Sequence, residues 1–189
     1  MPTGPETSTS SEIIDAWPEK AREAAKLVLE AHGEPDEATP TRLVWRDVSG
    51  CKRVIASKMF FQHDFPTPHT DSVQSVIDYR VPADKFSSLA LFDGSVVAER
   101  TAGEVSARCH DEQANFLALN LMHDIVTGEK TPDEARAYYG KEFLDYRRKK
   151  RTPYMKRLRV PPQHDTTDAD RPILTDDELR EATEQGKQS

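Results

Sequence analysis

The chain has 189 residues and a mass of 21.3 kDa, which allows one main domain with flanking extensions. Hydrophobic residues make up 36% and charged residues 31%, the net charge is −7 and the mean hydropathy is −0.73; no apolar run approaches the ~20 residues of a membrane helix, so a transmembrane helix is excluded. The opening residues have neither the basic nor the apolar stretch of a secretory signal, so a cytoplasmic location is expected, and two cysteines, Cys51 and Cys109, are too few for a disulfide framework or a four-cysteine zinc site.

Residues 1–11, rich in Pro, Ser, Thr and Gly, read as a disordered arm. Pro18 marks a helix start, and Ala21, Ala24, Ala25, Val28 and Ala31 give it one apolar face that Gly33 ends. TRLVWRD (41–47) and KRVIASKMFF (52–61), joined through Ser49-Gly50, read as a β-hairpin. The proline-containing stretch 62–71 reads as an irregular loop, and SVQSVIDYRV (72–81) as a strand over its second half. A short helix opens at Pro82 and closes at Asp93-Gly94. GSVVAER (94–100) and EVSARC (104–109) form a second hairpin. Residues 111–127 are the clearest helix, with Ala114, Leu117, Ala118, Leu121 and Ile125 as its buried stripe. Thr131-Pro132-Asp133-Glu134 is a capping box that opens another. Residues 160–172 read as linker, and Thr175 to Glu178 as the start of a short exposed helix. The order predicts an α+β domain over residues 12–146: an antiparallel sheet built from two hairpins, helices on one face, and mobile arms at 1–11 and 160–189.

Three stretches, HGEPDEATPTRLVW (32–45), FPTPHTDSVQSVIDYRVP (65–82) and FDGSVVAERTAGEVSARCHDEQANFLALNLMHDIVTGEKTPDEARAYY (92–139), together resemble a family of small, uncharacterised bacterial proteins. The resemblance covers roughly residues 17–140. That family carries no established activity, cofactor or catalytic residue, so the resemblance implies none here.

The candidate chemistry is sparse. His63, His69 and Asp71 are of the right types for metal binding or acid–base work and sit in a proline-stiffened stretch, but their spacing matches no metal motif and no metal ligand is assigned. The plain alternative makes Asp71 a helix-turn cap. Cys109-His110 lies at a strand-to-helix junction, where a thiol can be activated; Asp111 and Glu112 nearby oppose that, and free cysteine more often packs as a small apolar residue. His123 joins Asn120 and Asp124 in a polar strip on the long helix. Arg100, with Glu104 and Arg108, reads either as cross-strand ion pairing or as a contact for an anionic ligand. No nucleotide, zincin or esterase motif is present. Residues 147–159, RRKKRTPYMKRLR, carry eight positive charges and no negative ones, and an acidic tail follows.

The leading expectation is a small-ligand-binding or protein-interaction module with His63, His69, Asp71, Arg100, Cys109 and His123 as candidate binding residues. A second is an enzyme or metal-binding protein using the 63–71 stretch. A third is a nucleic-acid-associated factor using Arg147, Arg148, Lys149, Lys150 and Arg151. No cofactor is assigned. A functional site is expected where the 62–71 stretch meets Cys109-His110, because binding residues concentrate in loops held by a scaffold.

Overall fold

Order begins at a cap. In the computed structural model, which describes residues 9–168 and 170–187, the Thr9 hydroxyl accepts from the Glu12 N–H and the Glu12 carboxylate accepts from the Thr9 N–H. Helix α1 (Ser10–Asp15) follows and buries Ile14. Residues 9–11 of the expected disordered arm are therefore ordered, and residues 1–8 lie outside the described residues. Helix α2 (Glu19–His32) buries Ala21, Ala24, Ala25 and Val28, while Ala31, in its last turn, is exposed.

Six strands form one antiparallel sheet: β1 (Glu37–Thr39), β2 (Arg42–Val48), β3 (Cys51–His63), β4 (His69–Asp78), β5 (Val96–Glu99) and β6 (Glu104–Cys109), in the order β1-β2-β3-β4-β6-β5. Ser49 and Gly50 both take positive φ, 53° and 78°, the pattern of a hairpin turn that matches strand twist. The sheet is larger than two hairpins. Half of the stretch read as an irregular loop is strand, since β3 runs through His63 and β4 starts at His69. The two prolines, Pro66 and Pro68, sit in the connection, where no ladder hydrogen bond is lost. Polar residues enter β4 because it is central, paired to β3 on one side and β6 on the other. Asp71 is thus a strand residue and caps no helix.

A 3-10 turn (Ala83–Lys85) leads to α3 (Phe86–Phe92); α4 (Glu112–Thr127), α5 (Pro132–Arg147), α6 (Pro153–Lys156) and α7 (Asp176–Gly186) complete the fold. Helix α4 is central. Leu117, Leu121 and Ile125 are buried, and so are Phe116, Leu119 and Met122, because the sheet covers one side and α3, α5 and α6 cover others. Asn115 pins it to β4, its amide donating to the Val73 carbonyl and the Ser75 hydroxyl, both at 3.1 Å. The protein is α+β, and among the described residues no helix is long and apolar enough to cross a membrane.

Beyond α5 the chain does not drift into a linker. The Arg80 guanidinium donates to the carbonyls of Asp165, Thr166 and Thr167, at 3.2, 3.4 and 2.6 Å. Thr166 is buried against Gly103, where an added Cβ would stand 2.3 Å from the Thr166 carbonyl carbon. Gly103 also needs its positive φ of 66° to turn the β5–β6 hairpin. Gly103→Ala should therefore release this strap, and amide exchange at residues 166–168 should rise while the sheet stays protected; unchanged protection at 166–168 would show that the turn yields instead. Helix α7 is exposed throughout, as its composition predicts.

Arg100, Glu104 and Arg108 do not pair with one another across the hairpin. Arg100 binds Asp168 at 3.1 Å and Asp170 in the strap, and Arg108 lies over the Phe61 ring. Glu104 takes both Arg53 guanidinium nitrogens, at 2.6 and 2.8 Å, and the Lys52 ammonium at 2.9 Å. Those cations hold its carboxyl down to about 2, below the ordinary 4.5. A depressed folded-state value means that the stabilisation is complete above pH 4.5 and is lost as pH falls toward 2. Because Arg53 and Lys52 are partly in solvent, the contribution is about 1–2 kcal/mol. Glu104→Gln should cost that amount near neutral pH and nearly nothing at about pH 2. Urea unfolding at both pH values checks it.

Candidate metal centre

His69, Asp71 and Val73 share one side of β4, the side that faces the helices, because strand side chains alternate. Val73 is paired in register with Cys109 at the end of β6, so the thiol comes to the same face. His110 follows directly, before α4 begins. The tip of the β3–β4 hairpin is fixed from outside: the Phe65 ring packs on Tyr139 at 5.0 Å, and the Arg136 guanidinium lies 3.9 Å over it while donating to the Phe92 carbonyl at 2.6 Å. Two connections far apart in sequence are thereby held together.

The donors converge closely. Cys109 Sγ is 3.3 Å from His69 Nε2 and 3.3 Å from His110 Nδ1, and His69 Nε2 is 2.9 Å from Asp71 Oδ1. His69, Cys109 and His110 offer ligand atoms all within 4.8 Å of one another, as do His63, His69 and Asp71. Bonds of ~2.0–2.3 Å in a tetrahedral zinc site place neighbouring donors about 3.3–3.8 Å apart, so small adjustments suffice. Asp71 is 1% exposed, and its Oδ1 has His69 Nε2 as its ion-pair partner at 2.9 Å. Its other oxygen, Oδ2, accepts from the Ser95 hydroxyl and lies 3.3 Å from His63 Nδ1.

Each inward-facing imidazole is oriented through its far nitrogen. His69 Nδ1 donates to the Thr67 carbonyl at 2.8 Å, which leaves Nε2 toward the thiol. His110 Nε2 donates to the Asp111 carboxylate at 2.9 Å, which leaves Nδ1 toward the thiol. Asp111 also caps α4, accepting from the Ala114 N–H at 2.8 Å, so it cannot swing away freely. Carbonyl and carboxylate partners on the outer nitrogen are the usual way proteins orient metal-binding histidines.

Electrostatics in the cluster is strong. Burial raises the Cys109 thiol, but the His110 and His69 rings outweigh it and hold the thiol below its ordinary value. Burial opposes charging His69, yet Asp71 and Cys109 push it up to about 11; Asp111 and Cys109 push His110 up to about 10. Burial holds the nearby Asp93 carboxyl above its ordinary value. Asp111 and Glu112, which the sequence set against the thiolate, are engaged elsewhere, with His110 and with His32 at 2.8 Å. Cys51 is the contrast: buried, with its thiol pushed up to about 12 by burial.

A cavity of about 140 Å³ opens over the cluster, lined by His69, Cys109 and His110 on one side and Tyr139, Phe143 and Arg147 on the other. Asp71 lies behind the imidazoles and does not line it. Five of the side chains singled out in the sequence thus meet here: His63, His69, Asp71, Cys109 and His110. Two do not. Arg100 is at the hairpin turn at the opposite end of β6, within the strap. His123 lies eleven residues along α4, where its Nδ1 meets the Tyr79 hydroxyl at 2.8 Å. Asp93 and Ser95 were missed: His63 Nε2 is 3.6 Å from Asp93, whose carboxylate accepts from the Ser95 N–H at 2.8 Å. Their only sequence signal was Asp-Gly-Ser, which reads as a turn. Comparison with family models, curated proteins and solved structures found no match to the chain.

Proposed function

We propose that the protein binds one zinc-type divalent transition metal through Cys109 Sγ, His69 Nε2 and His110 Nδ1, with Asp71 behind His69 and the metal's remaining face directed into the 140 Å³ cavity. The carrying observation is the convergence of three donor atoms, Cys109 Sγ, His69 Nε2 and His110 Nδ1, with the buried Asp71 carboxylate 2.9 Å behind His69. Thiolate and imidazole together favour zinc over magnesium or calcium, which take oxygen ligands. The cavity gives a small molecule access to the metal, and this reading takes up the small-ligand expectation rather than the protein-interaction one. His63 acts on Asp71, and Asp93 on His63, as outer supports.

Elemental analysis of the full chain, reconstituted with zinc and desalted, should give one metal per chain. Cys109→Ala and His69→Ala should give close to none, and Asp111→Asn should bind about 10–100-fold more weakly. Cobalt in place of zinc should show a thiolate charge-transfer band that Cys109→Ser removes. A folded, metal-free chain after reconstitution, with Cys109 alkylated rapidly by iodoacetamide, would overturn this reading in favour of a nucleophilic thiol.

A further inference from the structure

The basic segment is held in shape by buried polar groups on α4 and α5. Glu142, 3% exposed on α5, directs its carboxylate at the segment, where it accepts from the N–H groups of Tyr154 and Met155 at 2.7 and 3.0 Å. Asn120, 2% exposed on α4, donates to the carbonyls of Tyr154 and Arg157, both at 2.9 Å, and accepts from the Arg159 N–H at 2.7 Å. Met155 is buried beneath. A run of cations that served only for solubility would need none of this.

The result is a cleft of about 760 Å³ lined by Tyr146, Lys150, Arg151, Lys156, Arg157 and Arg159, with no acidic residue in its wall. Among the described residues, Arg151, Lys156, Arg157 and Arg159 have no carboxylate partner, and Lys150 has only Asp145 at 3.9 Å. Arg159 is preset over the Tyr154 ring at 4.9 Å. Tyr146, 41% exposed, presents an aromatic face at the rim.

We infer that this cleft binds single-stranded nucleic acid through its phosphates, without reading sequence. Guanidinium groups carried on a held backbone suit phosphate oxygens. A concave groove with an aromatic rim suits a strand whose bases can stack. The wall offers no exposed aliphatic wedge for a lipid surface. The contacts expected from sequence shift accordingly: Arg147 lines the metal cavity, and Lys156, Arg157 and Arg159 join Lys150 and Arg151. This site shares no side chain with the candidate metal centre, and the inference does not rest on the metal reading.

The test is fluorescence anisotropy of the full chain with a labelled twelve-nucleotide oligo(dT), its RNA equivalent and a duplex of the same length, from about 50 to 200 mM salt. Five phosphate contacts predict that log K falls against log salt with a slope of about −3.5, at ~0.7 per contact. Lys156→Glu with Arg157→Glu should weaken binding at least about tenfold and flatten the slope by about 1.4, with the unfolding midpoint and metal content unchanged. Both side chains are exposed, so folding is not at issue. Tyr146→Ala should weaken single-strand binding about fivefold or more. No binding at the lowest salt, duplex bound as tightly as the single strand, or displacement by poly-glutamate at equal charge would each overturn the inference, the last in favour of an acidic peptide partner.

Discussion

Leu121→Ala lowers the stability of the folded chain by about 2–5 kcal/mol, the cost of lost burial plus the void left behind. Leu121 is 0% exposed on a helix packed by the sheet and by other helices, so little can move in to fill the space. Urea unfolding followed by circular dichroism gives the value directly. The metal donors should respond too, since Asp111 caps this same helix. A cost near zero would place α4 at the surface and remove the scaffold argued for the site.

Glu142→Ala is expected to detach residues 150–160 at a cost of about 2–4 kcal/mol. It removes a charged acceptor from two backbone N–H groups, and hydrogen bonds to charged groups are worth ~1.5–3 kcal/mol each. Release of the segment into water caps the loss below the sum of the two. Glu142→Gln keeps an acceptor oxygen and should recover much of the difference. Hydrogen exchange at Tyr154 and Met155 is the discriminating readout: fast in the alanine variant, near wild type in the glutamine variant. Equal protection in all three would mean that Asn120 and the burial of Met155 hold the segment unaided.

Helices α2 to α5 and α7 and the two hairpins were legible because their signals are local, whereas α1 and α6 were not. Apolar spacing marked α4, a Thr-Pro-Asp-Glu box marked α5, and β-branched runs marked β2 and β3. The middle of the sheet was not legible. His69-Thr70-Asp71 is polar and follows two prolines, and its pairing with residues 61–63 of β3 makes it strand. The meeting of the 62–71 stretch with Cys109-His110 was anticipated from residue types, but sequence carried no register. Val73 opposite Cys109 is what sets His69 against the thiol, and that pairing spans thirty-six residues. For the same reason the inward turn of His110 depends on Asp111, a neighbour that sequence reasoning counted against the thiol. The strap was missed because its hold lies in Arg80 meeting backbone carbonyls, which no residue pattern of the tail discloses.

Helix α5 carries two adjacent stripes. Tyr139, Phe143 and Arg147 recur every fourth residue and wall the small cavity. Glu142 and Tyr146, also four apart, hold and border the basic segment. One rod therefore borders two places that share no side chain. With side chains reaching ~5–6 Å from the axis, a roll of only ~10° carries the tips of both stripes by roughly 1 Å. Such a roll that opened the cavity would drag the Glu142 carboxylate off its two amides, and a ligand that locked the basic segment would in turn fix the width of the cavity mouth.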